Sequence, residues 1–173
     1  METFTFVLNF TLPGRDGDPE QYLDALYEAG CDDAAIGVGQ FGLIGLDFSR
    51  AAVSAEAALR SAVENVTAAI PGAALAQAGP DLVGLTEMAE IFGFSRQNMR
   101  KYATGQSGTS QAFPPPVFLG GPSLWHLAEI VAWLRVNTAV RPEQGVLDVA
   151  KAAARLNFEV EQKRLERILA FSA

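Results

Sequence analysis

Apolar and polar residues alternate along the first segment of the chain, residues 3 to 11. One side of this segment carries only large apolar residues, which are Phe4, Phe6, Leu8 and Phe10. The other side carries mostly threonine and asparagine. A period of two residues is typical of a strand with one buried face. The pattern therefore predicts a half-buried β-strand near the N-terminus.

Helix and strand signals alternate from there to residue 79. Asp18, followed by Pro19, is a good cap for one helix, and Ser54 is a good cap for a second. Further strands are predicted at residues 34–38, 42–48 and 73–77. The order β-α-β-β-α-β is that of the ferredoxin-like arrangement, with two helices on one face of an antiparallel sheet. The sequence therefore predicts an α+β fold whose N-terminal domain, residues 1–79, is ferredoxin-like.

A helix-turn-helix is predicted between residues 86 and 103. Thr86 is a good N-cap for the first helix, and Gly93 stops it where the backbone needs a left-handed residue. Ser95 begins a second helix at once. Two short helices joined by a tight glycine-containing turn form the unit that many DNA-binding proteins use.

The second helix of this pair carries several long polar side chains and no acidic one. Arginine pairs with guanine, asparagine and glutamine pair with adenine, and lysine and arginine also bind phosphates. This composition favours DNA recognition over an ordinary solvated helix face, which is the alternative interpretation. The donors are Arg96, Gln97, Asn98, Arg100 and Lys101.

This part of the chain resembles a known family. The run LTEMAEIFGFSRQ at residues 85–97, the FPPP run that begins at Phe113, and Trp125 and Trp133 are similar to the winged helix-turn-helix of excisionase-type and MerR-type DNA-binding proteins. The resemblance implies a second helix that reads the major groove, a β-hairpin wing at residues 117–123, and a third helix with both tryptophans in the core. It places the DNA-binding residues at Ser95, Arg96, Gln97, Asn98, Arg100 and Lys101.

The winged helix-turn-helix domain is expected over residues 80–136, and a C-terminal helix over residues 137–173. An apolar stripe runs along this helix with one interruption, Glu161. Its apolar members are Leu147, Ala150, Ala154, Phe158, Leu165, Ile168 and Leu169. The stripe either pairs with a second copy of the chain or packs on its own winged helix. The edges or open face of the N-terminal sheet are a second candidate for dimerisation.

Charge separates the two halves of the chain. The 173 residues include 20 acidic and 13 basic ones, and the hydrophobic fraction of 49% is that of a globular protein. Residues 1–80 contain eleven acids and three bases, whereas residues 81–136 contain four of each. Because a polyanion needs a basic surface, DNA is expected to bind the second half.

Candidate catalytic and metal-binding chemistry is sparse. The single cysteine, Cys31, cannot form an internal disulfide and leaves no Cys-rich metal site. The single histidine, His126, makes a His-cluster metal site or a conventional Ser-His-Asp triad hard to assemble. The loop acids Asp16, Asp18, Asp32 and Asp33 do not have the spacing of a calcium-binding loop. We therefore expect no enzyme activity, no cofactor and no metal. The absence of a long apolar run and of a secretory signal predicts a cytoplasmic protein without membrane contact.

These observations predict a sequence-specific, DNA-binding transcriptional regulator that acts as a repressor. Double-stranded DNA is its expected partner, and a homodimer is expected because one small module buries limited DNA surface. The alternative is an antitoxin-like regulator whose acidic N-terminal domain docks a second protein. Whether that domain binds a protein, a small ligand or only its own copy stays open.

Overall fold

The computed structural model of this chain describes residues 1–14 and 17–171. It is a mixed α/β structure, 47% helical and 21% strand, with a four-stranded antiparallel sheet. Two compact units are present: the first is Met1–Gly79 with Ala152–Ala173, and the second is Pro80–Lys151. Arg15 and Asp16 of the predicted turn lie outside the described residues. Within the described part of the chain, no helix has both the length and the apolar character to cross a membrane.

The sheet of the first unit has the strand order β2-β3-β1-β4, and all neighbouring strands are antiparallel. The strands are β1 (Glu2–Thr11), β2 (Ala34–Gly37), β3 (Leu43–Ala52) and β4 (Ala74–Gly79). Strand β3 is longer than the predicted residues 42–48. The reason is its partner, because β1 pairs with it over ten residues, from Glu2 opposite Ala52 to Thr11 opposite Leu43.

Helices cover one face of this sheet. A 3-10 turn (Pro19–Tyr22) leads into α1 (Leu23–Glu28), and α2 (Ala55–Ala69) follows β3. The predicted caps are confirmed: Asp18 Oδ1 accepts from the Glu20 amide, and Ser54 Oγ accepts from the Ala57 amide. The predicted period-two pattern is also confirmed, since the inward residues of β1 are buried and the outward ones are largely exposed. The inward residues are Phe4, Phe6, Leu8 and Phe10.

A buried arginine ties the first unit together. Arg50 is 7% exposed and donates to both carboxylate oxygens of Asp33, at 2.8 and 2.9 Å. It also donates to Asn65 Oδ1 and to the Gly30 carbonyl, each at 2.7 Å. Hydrogen bonding to Asp33 raises the pKa of Arg50. The cluster thus joins β3, α2 and the loop before β2, and sequence reasoning did not single it out.

The second unit begins with β5 (Leu82–Val83), α3 (Leu85–Phe92) and α4 (Arg96–Ala103). Strand β6 (Trp125–His126) and α5 (Leu127–Asn137) follow after a long loop. Strands β5 and β6 pair antiparallel, Leu82 opposite His126 and Val83 opposite Trp125. The core between these elements contains Met88, Met99, Trp125, Leu127, Ile130, Trp133 and Leu134.

The N-cap of α3 is Gly84, so the prediction of Thr86 was wrong. Strand β5 ends at Val83, and Gly84 continues in an extended conformation, which is what an N-cap requires. No side-chain oxygen caps this helix. Instead the Glu87 carboxylate accepts a hydrogen bond from the Gly84 amide, which is the reciprocal half of a capping box.

The C-terminal helix α6 (Gln144–Ala170) is 27 residues long. Near its start, Leu147 and Ala150 join the core of the second unit. In the first unit, Arg60 and Glu159 form an ion pair at 2.7 Å that links α2 to α6. The Asn157 amide group bonds both backbone groups of Ala78 in β4, accepting from N–H at 2.7 Å and donating to C=O at 2.8 Å. One edge of the sheet is therefore occupied by α6.

Candidate nucleic-acid interface

The turn between α3 and α4 has the geometry that its sequence predicts. Gly93 ends α3 with a left-handed backbone, φ 67°, which a side chain would strain. Ser95 then caps α4, its Oγ accepting from the Asn98 amide at 3.1 Å. Inside the pair, Met88 and Met99 are both fully buried. Both predicted signals for this turn, Gly93 and Ser95, are confirmed.

The outer face of α4 presents the predicted donors to solvent. Arg96, Gln97, Arg100 and Lys101 are exposed, and Asn98 is half-buried. Ser95 is exposed at the start of the helix, where its oxygen already serves as the cap. The burial of Met99 sets this orientation, because it anchors the opposite side of α4 in the core. All six predicted residues therefore lie on one short helix and its cap.

The three basic residues of α4 have no acidic neighbours in the sequence. Residues 91–128 contain three bases, Arg96, Arg100 and Lys101, and no acid. Among the ion pairs of the described residues, none involves any of these three. Their charges are thus available to an anion from outside the chain.

A shallow polar depression of about 350 Å³ lies on this face of α4. It is lined by Gln97, Arg100, Lys101, Thr104 and Gln106. The last two were not predicted. The chain returns to the helix because Gly105 takes a left-handed backbone, φ 72°, and the Gln106 amide then bonds the Lys101 carbonyl at 2.9 Å. A glycine two residues after the helix end is the sequence signal that could have located them.

Aromatic contacts hold α4 from behind. The Tyr102 ring meets the Trp133 ring edge-on at 5.4 Å, and Phe113 packs against Trp133 at 4.9 Å. Both tryptophan N–H groups donate to backbone carbonyls, Trp125 to Pro114 at 2.9 Å and Trp133 to Gln111 at 3.3 Å. Packed rings with satisfied polar atoms make a rigid support. The donors of α4 are therefore presented by a well-packed scaffold.

A second depression, of about 440 Å³, lies at the start of α3. Glu87 and Arg96 both line it, with Leu85, Ser123 and Leu124. Burial raises the pKa of the Glu87 carboxyl, against the opposing effect of its hydrogen bond from the Gly84 amide. The Glu87 carboxylate thus lies in the same depression as Arg96. The negative charge of Glu87 opposes the approach of a polyanion.

The loop expected to form a wing has a simpler structure than a hairpin. Phe118 and Leu124 form a single antiparallel bridge, and the paired strands of this unit, β5 and β6, lie outside residues 117–123. The exposed side chains of the loop are apolar, with Phe118 56% and Leu119 84% exposed. An uncharged loop offers no cation to a phosphate.

His126, the N-cap residue of α5, bonds a residue that is distant in the sequence rather than its own helix. Its Nδ1 lies 2.7 Å from Oδ1 of Asp81, a carboxylate that is only 3% exposed. The Leu127 amide also bonds the Asp81 carbonyl, at 2.7 Å. Asp81 was not identified as the partner from sequence, because 45 residues separate the two. The pair joins β5 to the start of α5.

The described residues contain no cluster of three or more His, Cys, Asp or Glu side chains that could hold a metal ion. Comparisons with protein-family models, with curated proteins and with solved structures found no match to this chain. The function must therefore follow from the chemistry of the chain itself.

Proposed function

We propose that this chain is a sequence-specific DNA-binding transcriptional regulator, acting as a repressor, that reads the major groove of double-stranded DNA with α4. One observation carries the proposal: α4 is anchored by buried Met99 and turns a row of unpaired cations and amides to solvent. An α-helix fits the major groove, and these side chains match guanine, adenine and phosphate.

The proposed contacts divide into two kinds. Arg96 and Gln97 lie in the first turn of α4, where recognition helices place base-reading residues. Arg100 and Lys101 lie in the last turn and are suited to phosphates. Ser95 and Asn98 add short donors at the start of the helix. The second unit contains six acids and six bases, so binding depends on this local arrangement rather than on net charge.

We propose the finer fold description as well. The sheet order β4-β1-β3-β2, with helices between β1 and β2 and between β3 and β4, supports a ferredoxin-like N-terminal domain. The α3–α4 pair, the bridged loop 118–124 and α5 support a helix-turn-helix of the winged type, with a minimal wing. Because this loop is uncharged, α4 carries most of the proposed affinity.

Fluorescence anisotropy tests the proposal. The purified protein is titrated into a labelled duplex from its own upstream region and into a scrambled duplex, over a salt series. We expect tighter binding to the upstream duplex and an affinity that falls as salt rises. A reporter fused to the same region should be expressed more strongly when the protein is absent.

Two alanine variants and one control assign the contacts. If Arg96 contacts a base, Arg96→Ala should lose about 1–3 kcal/mol of binding free energy on the upstream duplex and discriminate less between the two duplexes. If Arg100 contacts a phosphate, Arg100→Ala should weaken binding to both duplexes equally. It should also lower the slope of log affinity against log salt concentration by about 1. Lys151→Ala removes an exposed cation of the same unit outside α4 and should bind as wild type.

Equal binding of wild type and both arginine variants would refute the assignment of α4. If neither duplex binds at low salt, the antitoxin-like alternative becomes the better one. In that case a second protein should copurify with the acidic first unit, whose residues 1–79 contain eleven acids and three bases.

A further inference from the structure

The last part of α6 is exposed around its whole circumference. Residues 161–170 are all exposed, whereas Ala152, Ala153 and Leu156 earlier in the same helix are buried. A helix of ten exposed residues extends about 15 Å. This end of α6 contributes no buried residue to the unit that contains it.

One side of this helix end faces its own unit, and that side is polar. Lys163 and Arg167 line a cleft of about 650 Å³ with residues of α2 and β4. Leu156, Glu159 and Val160 line the same cleft one or two turns earlier. On a helical projection these positions fall on one side, because they are three, four or seven residues apart.

The opposite side carries an apolar stripe that faces solvent. Its members are Phe158, Leu165, Ile168 and Leu169, which are 70%, 54%, 55% and 63% exposed. An amphipathic surface helix normally turns its apolar side inward and its charges outward. Here the order is reversed. Such a reversal favours a partner that covers the apolar stripe.

The size and charge of the apolar stripe indicate what covers it. The four side chains expose on the order of 400 Å² per chain, within the range of functional patches. With the stems of flanking polar side chains, a paired helix end reaches roughly 600 Å² per partner, the size of the smaller natural interfaces. Residues 158–171 contain three acids and three bases, so two copies do not repel each other, and an anionic membrane gains no attraction.

We propose that the apolar stripe binds the same stripe of a second copy of this chain and so forms a homodimer. The use of this dimer rests on the proposed function, because two recognition helices bind a two-fold operator more tightly than one. The pairing itself does not depend on DNA. It also leaves the cleft beside Lys163 and Arg167 uncovered.

Sedimentation velocity of the full chain without DNA tests the proposal. We expect a reversible monomer–dimer equilibrium. The double variant Leu165→Ser with Leu169→Ser should raise the dimer dissociation constant by about a hundredfold. The matched control is Phe41→Ser with Val53→Ser, which removes two apolar side chains of the first unit that are 70% and 85% exposed. The control should dimerise as wild type does.

All four substituted positions are exposed, so each variant should fold, and an unchanged circular dichroism spectrum verifies this. A wild-type chain that stays monomeric at the highest concentrations would overturn the proposal, as would a stripe variant that still dimerises. Wild-type monomers that sediment with mixed phosphatidylcholine–phosphatidylglycerol vesicles would assign the stripe to a lipid surface instead. Arg96→Ala and Arg100→Ala should dimerise as wild type does while they bind DNA more weakly, which separates the two proposals. A wild-type dimer that binds neither duplex would refute only the proposed function.

Discussion

The substitution Asn157→Ala tests how α6 is attached to the sheet. Asn157 accepts from the Ala78 amide at 2.7 Å and donates to the Ala78 carbonyl at 2.8 Å. Strand β4 is at the edge of the sheet, so these backbone groups have no neighbouring strand on that side. Ala78 is fully buried, and its backbone groups therefore need a partner from α6.

The expected loss follows from those two bonds. A buried backbone group left without its partner costs about 1–3 kcal/mol. Asn157 is half-buried, so water can reach part of the space that alanine leaves, and the lower end of that range applies. The loss of both hydrogen bonds in Asn157→Ala should therefore lower the free energy of unfolding by about 2–3 kcal/mol. For a chain of this size the melting temperature should fall by about 5–10 °C.

Urea unfolding followed by far-ultraviolet circular dichroism measures this loss. The midpoint should fall while the slope of the transition stays the same, because the surface exposed on unfolding hardly changes. Gln162→Ala is the control, since Gln162 is an exposed amide on the same helix. A free energy for Asn157→Ala within about 0.5 kcal/mol of wild type would refute the attachment of α6 through this side chain.

Three further predictions follow from the buried and titrating groups. Arg50→Ala leaves the half-buried Asp33 carboxylate, the Asn65 side-chain oxygen and the Gly30 carbonyl without their donor and should cost about 3 kcal/mol of stability, a loss that the same urea titration would detect. Met99→Ala should cost about 2–5 kcal/mol, seen as an earlier transition in the fluorescence of the two core tryptophans, and an unchanged midpoint would contradict the anchoring of α4. Burial raises the pKa of Glu87, so as pH falls through that pKa the depression that Glu87 shares with Arg96 loses its negative charge. DNA should then bind more tightly at acidic pH, and anisotropy of Glu87→Gln should show that this step is gone.

Local signals in the sequence determined where most of the elements begin and end. The period-two pattern of β1 and the caps Asp18, Ser54 and Ser95 depend on neighbours within a few residues, so they can be predicted before the fold is known. Gly93 belongs with them, because its left-handed backbone is a local property. The composition of α4 is also local, which is why its donors could be identified from sequence.

The tertiary structure decided what is paired and what is left open. Arg50 with Asp33, Asn157 with Ala78 and His126 with Asp81 join residues 17, 79 and 45 positions apart, and no local pattern predicts such partners. The same holds for the N-cap of α3, which moved to Gly84 because β5 ends just before it. The stripe on α6 was visible in the sequence. Its exposure was not, because which side of an amphipathic helix is buried depends on what the rest of the chain packs against it.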